Sequence, residues 1–282
     1  SMGRDGEIRK SIGQTADSPI FFLPSIRMAF VRLLKPRFNR GFCVRKWEIL
    51  TFFISAKTDD WIKLSIIITM KEKLGNGGIG MEGIIHIAGA MPRIGTTTAA
   101  IQLVAFLKRY GYNAAYVEAN GQDYLWGCRS MYEDCKETEP GKLEVCGIES
   151  YRKEKLQELT EGGTHYDYLV CDFGNVMGDG FDREKFLNCS ASVLVGGMKA
   201  NEVFACEELL RDKTYDRRAW IFNFVRTKDH DEILDLMGTK GKFTSFLPFL
   251  PDPFEPADTG TEEADECFKK VMSAVKYRSS GR

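Results

Sequence analysis

The sequence predicts an α/β fold whose mostly parallel sheet carries helices on both faces. Three observations predict it. Short apolar runs alternate with helically spaced apolar segments from residue 84 to the C-terminal end, which is the pattern of strand–helix–strand units. The runs are near-continuously apolar rather than alternating, as expected of strands covered on both sides. A hydrophobic content of 43% over 282 residues is enough for one large or two small cores.

The elements follow in order. Residues 84–88 form the first strand, and residues 89–95 a glycine-containing loop. Thr96, Thr97 and Thr98 then open a helix with Ala99, Ala100, Leu103, Val104 and Leu107 at helical spacing. After Gly111 comes a second strand at 113–120. Further strands are predicted at 166–174, 192–196, 219–225 and 243–247, the last running into the proline-rich stretch 247–253. The segment 262–277 places Phe268, Val271, Met272 and Val275 on one helical face, flanked by Lys269, Lys270 and Lys276. That face either packs on the sheet or lies on a membrane surface as a basic amphipathic helix.

Strand, glycine loop and helix in this order are the context of a phosphate-binding loop. Backbone N–H groups and the helix dipole receive the anion there. The usual pattern sets Lys directly after the last Gly, then Ser or Thr for magnesium. Here Thr96 takes the Lys position and Thr97 the magnesium position. The candidate nucleotide-binding residues are Gly89, Ala90, Arg93, Ile94, Gly95, Thr96, Thr97 and Thr98. The competing reading is that the three threonines only cap a helix. Asp172 ends the apolar strand at 166–172 and is the candidate magnesium residue with Thr97; otherwise it is an ordinary strand-end carboxylate.

From about Met81 onward the chain resembles the ParA/MinD family of deviant-Walker ATPases. Glu118-Ala-Asn-Gly-Gln122 stands where that family has Asp-x-Asp-x-Gln, and residues 166–172 resemble its Walker B strand. The resemblance implies ATP and magnesium as ligands, with Asn223 at the adenine base and Pro251 in the adenine-side loop. Gly89-Ala90, followed by Gly95-Thr96-Thr97-Thr98, is most similar to the CpaE/TadZ branch. Members of that branch often lack the P-loop lysine and act in localising pilus assembly. The chain departs from the family at Met91 (the signature lysine), Pro92-Arg93 (Gly-Gly), Thr96 (the Walker lysine), and Glu118 or Asn120 (the water-positioning Asp). Phosphoryl transfer depends on positioning and charge stabilisation, so losing both lysines removes most catalytic power. Arg93 returns one charge, but its fork does not substitute for a lysine point charge. Pro92 also removes one N–H from the cradle.

The formal net charge of -1 hides an asymmetry: residues 1–80 carry 14 Lys/Arg against 7 Asp/Glu, and the remainder 25 against 33. Residues 1–80 read as a basic leader ahead of a ParA/MinD-like domain at 81–282. Its apolar runs at 49–54 and 62–70 are too short to span a bilayer. The stretch Gly77-Gly-Ile-Gly-Met81 leaves two alternatives. Met81 is a natural bacterial start preceded by translated leader, or a separate N-terminal module is joined by a Gly-rich linker. The 8 Cys show neither CxxC nor metal spacing, and the 3 His form no triad, which points to a reducing cytoplasm with inert thiols.

The leading functional expectation is a non-hydrolysing regulatory or localisation factor, binding ATP and magnesium weakly or not at all. It would act through protein partners and as a homodimer, in the cytoplasm or at the membrane periphery, in pilus or secretion assembly. The alternatives are a slow magnesium-dependent ATPase of positioning or partitioning, and a DNA- or membrane-surface adaptor. No specific nucleic acid is predicted as a partner.

Overall fold

The computed structural model describes residues 81–161, 165–216, 218–254 and 261–279. The strands are β1 (Gly83–Gly89), β2 (Ala114–Glu118), β3 (Cys135–Glu139), β4 (Lys142–Val145), β5 (Ile148–Arg152), β6 (Tyr168–Asn175), β7 (Ala191–Gly196), β8 (Ala219–Asn223) and β9 (Thr244–Leu247). The helices are α1 (Thr96–Arg109), α2 (Tyr124–Cys128), α3 (Leu156–Glu161), α4 (Arg183–Leu187), α5 (Ala200–Arg211), α6 (His230–Met237) and α7 (Thr261–Ser279). Among the described residues the strands make one sheet in the order β3-β4-β5-β2-β6-β1-β7-β8-β9. It is parallel from β5 to β9, as predicted.

The apolar runs place β1 at the centre. Ile85, Ile87 and Ala88 are fully buried, and Ile85 pairs with Val170 of β6 on one side and Ala191 of β7 on the other. His86 faces the opposite side, where its Nδ1 donates to the Phe186 carbonyl of α4. The first helix buries Ala99, Ala100, Leu103, Val104 and Leu107, and it ends in Lys108 and Arg109, which oppose the C-terminal dipole.

Helix α7 lies beside α1, with Phe268 packed 5.6 Å from Phe106 between ring centroids. Its Phe268, Val271, Met272 and Val275 are all buried. Truncating Phe268 to Ala would cost about 3–5 kcal/mol. This corrects the membrane-surface reading of the segment, because the apolar stripe that a bilayer would take is spent on the core. No described helix is long and apolar enough to cross a membrane.

The β3–β4–β5 meander is an addition to the predicted sheet, and it is antiparallel. Cys146 and Gly147 join β4 to β5 as a two-residue turn with φ of 48° and 74°, the left-handed pair that matches strand twist. The outer strand β3 is exposed and charged at Lys136, Glu137 and Glu139, which discourages further strand pairing. The basic leader, and the alternatives for its origin, lie outside the described residues.

Candidate nucleotide site

Because β1 runs between β6 and β7, its C-terminal end meets the ends of both. Gly89 is opposite Asn175 and Val195. The Ala90 N–H donates to the Val195 carbonyl at 2.8 Å, and the Val176 N–H to the Gly89 carbonyl at 2.9 Å. The loop is therefore clamped on both sides where it leaves the sheet.

Gly95 ends the loop with φ 89° and ψ 26°, a conformation that favours glycine, and it is the N-cap of α1. No side chain caps the helix. Gly95, as the N-cap, has no side chain to cap with, and the Thr97 hydroxyl does not cap the helix but donates to Asp172 Oδ2 at 2.7 Å. The first-turn amides of α1, which have no intrahelical acceptor, remain available for an anion.

Asp172 is fully buried within β6, three residues before its C-terminal end. Besides Thr97 it accepts from Tyr116 Oη at 3.0 Å and from the Gly174 N–H at 2.8 Å. Burial pushes its carboxyl above the ordinary range, against these hydrogen bonds. Burial beside Asp172 also raises the Tyr116 phenol, so Tyr116 stays a donor. Sequence reasoning missed Tyr116; the signal was a buried tyrosine, whose hydroxyl needs a partner.

The two residues expected to handle the attacking water are placed differently from one another. Glu118 sits opposite Asp172 in the sheet. Its carboxylate accepts from the N–H groups of Tyr124 and Leu125, which start α2. Burial raises its pKa. Asn120 stays at the site: its side chain is a hydrogen-bond partner of Asp172, while its Oδ1 accepts from the Gln122 N–H at 2.8 Å. The Asn223 amide donates to the carbonyls of Ile94 at 2.9 Å and Gly95 at 3.3 Å, which ties β8 to the loop.

The cation positions are plain. Met91 is half-buried, with its sulfur 3.5 Å from the Asn201 amide. Pro92 and Arg93 are exposed, and Arg93 has φ 63°. Ile94 and Ala90 are fully buried. Thr96 is buried too: a Cβ on Gly89 would stand 2.4 Å from Thr96 Oγ1 and 2.6 Å from Ile94 Cγ2. The loop's own side chains close over Gly89, and among the loop residues Arg93 is the sole cation. Thr98 is half-buried on α1, and Pro251 is exposed in the loop after β9. That loop is tied down by Gln102 Nε2, which donates to the Pro253 carbonyl. Among the described residues no cluster of His, Cys, Asp or Glu could hold a metal by itself.

Fold and junction together define a P-loop α/β protein. No protein-family model matches the sequence, and no curated protein matches it. Among solved structures, the chain is similar to one from the MinC:MinD cell division protein complex of Aquifex aeolicus, at 13% identity and a TM-score of 0.50, over 71% of this chain and 96% of that one. MinD from Aquifex aeolicus gives 13% identity and a TM-score of 0.49, over 71% of this chain and 98% of that one. A putative plasmid partition protein of Borrelia burgdorferi B31, bound to AMPPNP, gives 12% and 0.47, over 70% of this chain and 99% of that one. At such identities the likeness is one of fold, and the fold is that of the MinD/ParA P-loop proteins.

Proposed function

We propose that this chain is a MinD/ParA-like regulatory or localisation factor that holds magnesium and ATP weakly and does not turn ATP over. The observation that carries the reading is the split character of the loop. Thr97 and Asp172 are in place, whereas Met91 and Thr96 leave the phosphates without either lysine.

A hard cation takes oxygen ligands, and the pair Thr97 and Asp172 fits one. The Thr97 proton is committed to Asp172, so its oxygen keeps lone pairs for a metal. Bound there, magnesium would neutralise phosphate charge. The first-turn amides of α1 would orient the phosphates. Arg93 stands outside the cradle, and Glu118 is engaged at α2, so neither supports in-line attack by water.

The loop sequence supports a CpaE/TadZ-like role in placing a pilus or secretion assembly, in the cytoplasm, through protein partners and a homodimer. One observation favours the second reading, a slow magnesium-dependent ATPase: the Thr97–Asp172 pair is intact. The adaptor reading rests on residues 1–80, outside the described residues, and gains nothing from α7. Titration calorimetry of the full chain with ATP, with and without magnesium, tests the proposal. Weak binding that requires magnesium agrees with it. Tight, magnesium-independent binding would contradict the assignment of Thr97 and Asp172.

A further inference from the structure

The two edges of the sheet are finished differently. Strand β3 carries Lys136, Glu137 and Glu139 on one edge, whereas β9 on the other reads Thr-Ser-Phe-Leu, without a charge. Charge on an edge strand turns away a further strand, and its absence leaves the edge receptive. Among the described residues, β9 makes no backbone hydrogen bond outside its ladder with β8. Residues 245–248 line a groove of about 740 Å³ at that edge, between α6 and α7. From Glu262 to Ser273, which also line it, the helix rises about 16 Å. The cross-section is then about 46 Å², close to the roughly 48 Å² that one strand occupies in a packed sheet, and the length is that of about five extended residues.

The groove has a negative end and a positive end. Helix α1 leaves the strand ends at Gly95, beside Asn223, and reaches the strand starts at Lys108, whose amine donates to the Gly147 carbonyl just before β5. Helix α7 begins there, with Asp265 accepting from Tyr110, and runs back beside α1 through Phe268. It therefore runs the way β9 runs, and Cys267 donates to the Ser245 hydroxyl at 3.3 Å. Glu262 and Glu263, both exposed, stand toward the start of β9, and Lys270 toward its end. Lys270 is half-buried and has no hydrogen bond or ion pair among the described residues; Glu266 is taken by Lys269 at 2.6 Å. Burial holds the Lys270 amine below its ordinary range. The opposite wall is firm, because His230 stacks on Phe246 with centroids 3.7 Å apart and 4° between the planes.

We propose that the groove beside β9 takes an extended segment of a partner protein as a further strand, with an acidic side chain on Lys270 and a basic one on Glu262 or Glu263. Main-chain hydrogen bonds to β9 supply the affinity, and the two charges fix direction and register. Antiparallel pairing forms the stronger ladder, so the acidic residue comes first in the segment. Glu263 and Lys270 are about 10 Å apart along α7, or about three strand residues. Two side chains on one face of a strand are an even number of residues apart, so an acidic residue followed four positions later by a basic one meets both ends.

The test titrates the full chain into a fluorescent, acetylated and amidated peptide, Glu-Val-Thr-Val-Lys, and reads anisotropy. The peptide should bind with a Kd under about 1 mM, and the reversed peptide Lys-Val-Thr-Val-Glu at least about fivefold more weakly. Backbone N-methylation of both Val residues, or of Thr alone, separates the two edges of the added strand, because alternate N–H groups point to opposite sides. One pattern should abolish binding and the other spare it. Lys270→Glu should weaken the first peptide roughly tenfold, and Lys in place of the peptide's Glu should recover the loss. Binding indifferent to N-methylation would overturn the added strand. Binding unchanged in Lys270→Glu would overturn the register. Neither peptide binding at about 1 mM would overturn the site. Self-association of the full chain that Lys270→Glu abolishes would give the groove to a second copy instead. The groove lies outside the loop at 89–95, so each of these failures leaves the nucleotide reading standing.

Discussion

On the β6 side of the loop, Thr97, Tyr116 and the Gly174 N–H all converge on Asp172. On the β7 side, Met91 receives a long contact from Asn201, and Thr96 packs over Gly89. The two sides differ in what depends on them. The Asp172 cluster is buried, and each of its groups satisfies another, so the folded state needs it with or without a ligand. At the lysine positions a charge would serve a bound phosphate and not the fold, and the residues that replace it, Met91 and Thr96, pack within the loop. A P-loop relieved of catalysis can lose the second set and must keep the first.

The largest expected effect lies on the β6 side. Asp172→Ala leaves Thr97, Tyr116 and an amide without their acceptor. It should destabilise the domain by about 3 kcal/mol or more in urea or guanidinium unfolding. A loss under about 1 kcal/mol would mean that the cluster serves a ligand rather than the fold.

On the β7 side the corresponding change should be felt in binding. Thr96→Lys restores a cation, and a charge-assisted contact to phosphate is worth about 1.5–3 kcal/mol, or roughly ten- to a hundredfold in ATP affinity by calorimetry. Unchanged affinity would show that Ile94 and the residue at position 96 close the cradle sterically.

Asn223 links the two sides through the loop carbonyls. Asn223→Ala should cost about 1 kcal/mol of stability through the lost loop hydrogen bonds, and, because it also removes the buried Oδ1 that has no partner of its own, it should blunt the ATP-to-GTP preference. An unchanged preference would leave Asn223 with a structural role only.

The smallest effect is one of pH. Burial raises both Asp172 and Glu118, so the folded state holds these protons more tightly than the unfolded chain. Their contribution is complete below the unfolded carboxylate range and is lost as pH rises through the raised folded values. Magnesium needs the ionised Asp172, and it should therefore raise the melting temperature more at pH 8 than at pH 5. An equal shift at both pH values would place magnesium elsewhere.

Much of this fold was legible because its central strands are apolar runs. The strand, loop and helix at 84–107, the strand that contains Asp172, and the strands ending at Gly196, Asn223 and Leu247 need no tertiary information to be seen. The β3–β4–β5 meander escaped because its outer strand reads Cys-Lys-Glu-Thr-Glu, which carries no apolar period. Only the turn residues Pro140-Gly141 and Cys146-Gly147 announced it. In the site, residue types located Thr97 and Asp172, but side-chain direction is set by packing. Nothing in the sequence turns Glu118 toward α2, or Asn223 toward the loop carbonyls.

The measurement that bears most directly on this account is phosphate release from magnesium and ATP by the full chain, at nucleotide concentrations that calorimetry shows to be saturating. Binding without release above the protein-free background is the predicted result. Release that is abolished by Thr97→Ala, in a variant that keeps its melting transition, would contradict it and establish a slow ATPase.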